Sequence, residues 1–275
     1  MKAVFSARRS LPCMLAGAVV LAGASSLEDV AQARSRQVAG GKKQVWSTSI
    51  CMAMIGDDPY GARDYALDWQ HHGGGRDARH CHALAMLEAG DESGAARELD
   101  ELAHQGIPKG DAAPPALRAG MEEEAAEAWL AAGVPASAQA SADFGLLAQP
   151  NDPSLLIARA RSLLAQNRAD LVEQELAALV ARQPGVTPEA YVLLAESERK
   201  IGRLDLALRH VAHALQTTPD SAAALLERGI IRERKGDAAG AQQDWQKVLD
   251  LAPDSHEADM ARQDLAVMAA DPDSP

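Results

Sequence analysis

Residues 188–219 read PEAYVLLAESERKIGRLDLALRHVAHALQTTP, and residues 222–253 read AAALLERGIIRERKGDAAGAQQDWQKVLDLAP. In each stretch a glycine (Gly202, Gly236) separates two runs without breakers, and a proline (Pro219, Pro253) follows 17 residues later. A small residue stands seven places before the glycine (Ala195, Gly229) and another five places after it (Ala207, Ala241). The same marks recur upstream. Gly133 and Asn167 continue the series of turn residues at steps of 34, 35 and 34, with Pro150 and Pro184 again 17 residues on. Their flanking small positions are Ala126 and Ala160 before the turn, and Ala138 and Val172 after it. A period carried by independent residue types marks stacked copies of one supersecondary unit.

Two helices approach closely across a turn only when the facing residues are small, so each unit reads as an antiparallel helical hairpin. Nine residues past the turn comes a filler: Leu176, Val211 and Trp245, with Ala142 the weak member. Proline then stops the second helix, since it has no amide hydrogen to donate. The one-residue slip in period falls in Pro184-Gly185-Val186-Thr187-Pro188, a loop, where it does not rotate a buried face.

The pattern resembles the tetratricopeptide repeat, with small residues at unit positions 8 and 20, a large one at 24 and proline at 32. Leu156, Tyr191 and Leu225 take the bulky position 4. The chain departs from the family at position 11, where Glu198 and Arg232 replace an aromatic, and at position 7, where Arg159 and Arg228 replace an apolar residue. Looser packing is expected there, moderated by arginine stems lying on apolar surface. The template also finds a hairpin about Gly90, with Ala83 and Ala95 at the small positions and Leu99 as filler. Its step to Gly133 is 43, and the surplus coincides with the loop-like 106–115 stretch. Residues 58–70 read as one further helix. Ala258, Ala261, Leu265 and Met268 form the stripe of a last helix, capped by Asp254 and Glu257, that covers the open edge. The expected fold is all-α: a tetratricopeptide-like α-solenoid of about five hairpins over 58–270, with a C-terminal capping helix and a tail at 271–275.

The amino terminus differs. Lys2, Arg8 and Arg9 precede an apolar run from Leu11 to Ala24, and Ala31-Gln32-Ala33 offers small residues to a signal peptidase. The run is short of the ~20 residues a membrane span needs, so 1–33 reads as a cleavable signal peptide and 34–57 as a linker. The alternative is an uncleaved anchor. A periplasmic or secreted location follows, with no membrane association after cleavage after Ala33. Removing 1–33 takes away three basic and two acidic side chains, shifting the formal net charge from −12 to −13. So acidic a chain is expected to bind no nucleic acid.

Cys51 and Cys81 remain after cleavage. They are either a disulfide in an oxidising compartment or two buried thiols. His71-His72-Gly73-Gly74-Gly75-Arg76-Asp77-Ala78-Arg79-His80-Cys81-His82 concentrates metal-ligating types but matches no established zinc spacing, and on a helix His80 and His82 leave on different faces. No metal and no cofactor are assigned. Gly90-Asp91-Glu92-Ser93-Gly94 has the wrong order for a nucleophile elbow, and Gly40-Gly41-Lys42-Lys43 lacks phosphate-loop spacing. Glu122-Glu123-Glu124 reads as a solvated helix face. No catalytic residues emerge.

The resemblance implies that unit positions 2, 5, 9 and 12 line a concave binding face. Those positions hold Ser154, Ile157, Arg161 and Leu164, then Glu189, Val192, Glu196 and Arg199, then Ala223, Leu226, Ile230 and Glu233. Family members that clamp a terminal carboxylate use Lys and Asn at positions 5 and 9, which are absent here. Apolar residues flanked by both charges suit a protein or peptide segment lying in the groove. The expected function is a non-enzymatic protein- or peptide-binding scaffold of the bacterial cell envelope. The alternative is a periplasmic metal-binding or redox-linked protein using the 71–82 segment. Oligomeric state is left open.

Overall fold

The computed structural model describes residues 45–104, 114–183 and 185–270. The signal-peptide reading, the tail, Pro184 and most of the 106–115 loop lie outside the described residues. Trp46 onward forms one compact unit. Among the described residues it is all-helical: α1 Thr48–Ile55, α2 Pro59–His71, α3 Gly75–Glu88, α4 Glu92–His104, α5 Pro115–Ala131, α6 Pro135–Ala148, α7 Pro153–Ala165, α8 Ala169–Arg182, α9 Pro188–Lys200, α10 Leu204–Thr217, α11 Ala222–Arg234, α12 Ala238–Leu251 and α13 His256–Ala270. Pairing gives more than the expected five hairpins, because α1 and α2 extend the array. Helix α1 also falls in the stretch read as a linker.

The turn residues do what their spacing demands. Gly90, Gly133, Gly202 and Gly236 have φ of 85°, 71°, 83° and 83°, and Asn167 joins them at 59°. In this left-handed conformation the following amide can reach back to a carbonyl of the last helical turn. Val134 donates to Trp129 O (2.9 Å), Arg168 to Leu163 O (2.8 Å), Arg203 to Glu198 O (2.7 Å) and Asp237 to Arg232 O (2.9 Å). Each closes the same C-terminal motif and satisfies a carbonyl left over by the helix. Asn167 is the one non-glycine residue among them, so Asn167→Gly is expected to raise stability by roughly 0.5–1 kcal/mol in urea unfolding. A loss of stability would show that the asparagine side chain contributes more than its backbone conformation costs.

The prolines act at the other end. The residues before them, Gln149, Gln183, Thr218 and Ala252, all leave the helix with φ between −132° and −144°. That is the extended conformation a following proline imposes. The next helices restart with Pro153 after Asp152, whose carboxylate accepts from Ser154 N at 3.0 Å, or at Ser221, which accepts from Ala224 N at 3.3 Å. For α13 the cap is Ser255, which accepts from Ala258 N at 3.1 Å, and not the expected Asp254.

Within hairpins the small positions are fully buried: Ala83, Ala95, Ala126, Ala138, Ala160, Ala195, Ala207 and Ala241 show no accessible surface. A Cβ on Gly229 would collide with the Trp245 indole, which occupies the space the glycine leaves. The first helices of successive hairpins, α5, α7, α9 and α11, also stack on one another and then on α13. The core is correspondingly segmented, with one apolar cluster running α5 to α9 and another α9 to α13. Ala258 and Ala261 of α13 are buried, with Leu265 and Met268 against the same cluster, as the stripe predicts. Its far side carries exposed Asp259 and Arg262, a polar surface where a partner helix would otherwise pack. No described helix is long and apolar enough to cross a membrane.

Candidate protein-binding groove

Stacking of the first helices opens a groove of about 550 Å³ on their shared face. From α7 comes Arg161; from α9, Glu189, Val192, Leu193, Glu196 and Arg199; from α11, Ala223, Leu226, Glu227 and Ile230. Helix α13 adds His256, Glu257 and Met260. Six of the nine expected groove residues therefore converge: Arg161, Val192, Glu196, Arg199, Leu226 and Ile230. Ile157 and Leu164 do not line it. They are buried in the α5 to α9 cluster with Ala119 of α5 and Leu193 of α9, covered by the neighbouring repeats. Glu233 is exposed but outside the lining.

The contribution of α13 was missed by the sequence reading, although the register contains it. Carrying the 34-residue step past Gly236 assigns positions 2, 5, 9 and 12 to Glu257, Met260, Asp264 and Val267. The capping helix thus also holds the first-helix place of a further repeat in the register, and it keeps the groove face.

Charge on this face is heavily paired. Arg161 bridges three helices, reaching Glu127 of α5 (2.5 Å) and Glu189 of α9. Arg199 forks onto Glu227 through Nε (2.6 Å) and Nη2 (3.0 Å), with both side chains nearly buried. Burial pushes the Glu227 carboxyl up to about 7 against the opposing pull of Arg199. Burial would lower the Arg199 guanidinium, but Glu227, Glu196 and Asp264 together hold it above its ordinary value. Glu196 lies 3.5 Å from Lys200, and Arg234 donates to Arg199 O at 3.5 Å.

The departures from the repeat pattern also find partners. Arg159 pairs with Asp143 (2.9 Å) and Glu175, Arg228 with Asp244 (2.5 Å), and Arg232 with the same Asp244 (2.7 Å). Glu198 sits 2.8 Å from His210 Nδ1. Position 7 meets position 23 across the hairpin, 16 residues on, in His82/Glu98, Arg159/Glu175 and Arg228/Asp244. This recurrence was legible in the chain, and it replaces expected apolar contacts by ion pairs that tie first helix to second.

The 71–82 segment does not converge. Cys51 and Cys81 form a disulfide, with Cα atoms 6.3 Å apart, that ties α1 to α3 and closes a loop of 30 residues. A crosslink of that span contributes roughly 3.6 kcal/mol by loop entropy. His80 Nε2 lies 2.5 Å from Glu124, His82 Nδ1 lies 2.6 Å from Glu98, and His72 stacks on Trp46. Among the described residues no three His, Cys, Asp or Glu side chains gather as a metal site.

The reading of Glu122-Glu123-Glu124 as a solvated face is overturned at its first member. Glu122 is wholly buried, with the Asp100 carboxylate beside it and His104 Nε2 3.1 Å away. Asp100 accepts from Trp129 Nε1 (2.8 Å) and Ser141 Oγ (2.7 Å). Burial, reinforced by Asp100, pushes the Glu122 carboxyl up to about 8, so at neutral pH it carries a proton.

No family model and no curated protein matches the chain by sequence. Solved structures do match in fold. A tetratricopeptide repeat protein from Parabacteroides merdae ATCC 43184 aligns with 80% of this chain and 84% of its own, at 13% identity and a TM-score of 0.65. MamA (41-end) from Desulfovibrio magneticus RS-1 aligns with 66% of this chain and 97% of its own, at 22% identity and 0.52. TTC0263, a thermophilic tetratricopeptide repeat protein of Thermus thermophilus, aligns with 55% and 83%, at 24% identity and 0.51. The hairpin register and these likenesses agree: in fold the chain is a tetratricopeptide repeat protein, with an open groove along its first helices.

Proposed function

We propose that the protein is a non-enzymatic scaffold of the bacterial cell envelope, exported with cleavage after Ala33, which holds a protein or peptide in the groove between α7 and α13. The observation that carries this reading is the groove itself. It lies on the face that the repeat register assigns to ligands, it is floored by Val192, Leu226, Ile230 and Met260, and it is rimmed by charge. Apolar floor with charged rim is the usual recognition surface for a linear or helical segment. No constellation of nucleophile, base and orienting group accompanies it among the described residues.

A photo-crosslinking residue at Val192 or Met260 of the full chain, expressed in a bacterial host, is expected to yield a discrete adduct in the envelope fraction. The same residue at exposed Arg209 on α10 is expected to yield none. Equal labelling at all three positions, or none at any, would remove the groove reading. A protein whose amino terminus is not Arg34 would remove the cleavage assignment.

A further inference from the structure

The groove is not evenly charged, and the imbalance says what kind of segment it fits. The cations facing it, or bordering it, are already committed: Arg161 to Glu127 and Glu189, Arg199 to Glu227, and Lys200 to Glu196. Arg234 is tied to the α9 carboxyl end through Arg199 O. Three carboxylates are left over. Glu257 and Asp264 of α13, and Glu233 of α11, have no ion-pair partner among the described residues. Glu257 lines the groove with Met260, whereas Glu233 and Asp264 stand outside that lining, toward the C-terminal halves of α11 and α13. Glu233 and Asp264 are close enough to repel: burial raises the Asp264 carboxyl, Glu233 raises it further, and only Arg199 opposes. Leaving like charges together beside apolar surface is unfavourable for the free protein, and a cation of a partner relieves it.

We propose that the groove takes a linear protein segment in which apolar side chains alternate with Lys or Arg, the apolar ones lying on Val192, Leu226, Ile230 and Met260, one basic side chain reaching Glu257 and another the Glu233 and Asp264 pair beside the groove. This rests on the groove being the binding site at all. The register supports the placement, since Glu257, Asp264 and Glu233 occupy unit positions 2, 9 and 12, at which Glu189, Glu196 and Arg199 of α9 line the groove. An acidic segment is disfavoured, because Arg161, Arg199 and Lys200 are each already held by one or two carboxylates.

The test is selection of the full chain against a displayed library of random twelve-residue peptides, followed by affinity measurement of the enriched sequences. The comparison proteins are the triple variant Glu233→Gln/Glu257→Gln/Asp264→Asn and the floor variant Val192→Arg, each checked for unchanged helicity. Supporting results are enrichment of Lys or Arg beside apolar residues, weakening by tenfold or more in the triple variant, and a fall in affinity with added salt. If peptides bind in a Val192-dependent manner but are neutral or acidic, or bind the triple variant equally well, the basic-segment proposal fails while the groove reading stands. If no enriched peptide depends on Val192, both fail.

Discussion

Arg199→Met is expected to lower the unfolding free energy by about 3–5 kcal/mol at a pH above 7, the usual result of stranding one member of a buried ion pair. Glu227 retains only 6% of its accessible surface, and both its oxygens accept from the Arg199 guanidinium. Without that partner the carboxylate has no other donor among the described residues, and Arg234 acts on it only as a nearby charge. The loss is expected to shrink as pH falls toward about 7 and to level off below it, because removing Arg199 takes away what lowers the Glu227 carboxyl, so the variant takes up a proton above the parent's value of about 7 and the stranded charge is removed. Arg199→Met/Glu227→Leu, which replaces both charges by apolar groups, is expected to recover most of the loss. Urea unfolding of the three proteins at about pH 8 and about pH 5 checks this. Equal loss in the single and double variants would show that side-chain packing, and not the buried charge, sets the effect.

The second large effect is a pH dependence centred on Glu122. Its carboxyl is pushed up to about 8 in the folded chain and returns on unfolding to the ordinary value of 4.5. Below 4.5 both states hold the proton, and the full stability is present. Between 4.5 and 8 the folded state keeps the proton that the unfolded state has lost, so stability falls as pH rises, by about 1.4 kcal/mol per unit for one proton. The accumulated loss is on the order of 5 kcal/mol once pH passes the folded value. Glu227 adds a similar fall between 4.5 and about 7. Glu122→Gln can still donate to Asp100 but has no proton to lose. It is expected to match the parent near pH 4.5 and to exceed it above pH 8 by most of that amount, read from urea midpoints across the range. A parallel pair of pH profiles would show that Glu122 ionises normally in the fold.

Both effects arise where local pattern stops being informative. Position 12 in the α9 hairpin places Arg199 on the groove face, and that much follows from counting back from Gly202. That it is locked to Glu227 depends on how far α9 stands from α11. Glu122 divides the same way. Counting back 11 residues from Gly133 puts it at unit position 4, the bulky place that Leu156, Tyr191 and Leu225 take, so its burial follows from the register, while its neighbours Asp100 and His104 depend on how α4 stands against α5 across the 43-residue step. Three consecutive glutamates point in three directions on a helix. The structure turns Glu122 into the α4/α5/α6 junction, Glu124 toward His80, and leaves Glu123 half-buried near Ser154.

The amino-acid sequence by itself determined the hairpins, their ends and the face available to a partner. Those features rest on local requirements: a left-handed residue to close each turn, small side chains where two helices touch, and a proline to force the chain out of the second helix. Each needs a given residue type at a given spacing, so each recurs with the period. Only the tertiary structure decided which charges neutralise one another, which groups surround the buried Glu122, and that Ile157 and Leu164 are covered by neighbouring repeats. Those outcomes depend on distances between helices of different repeats, and a charge's free energy is set by every group and every solvent molecule around it.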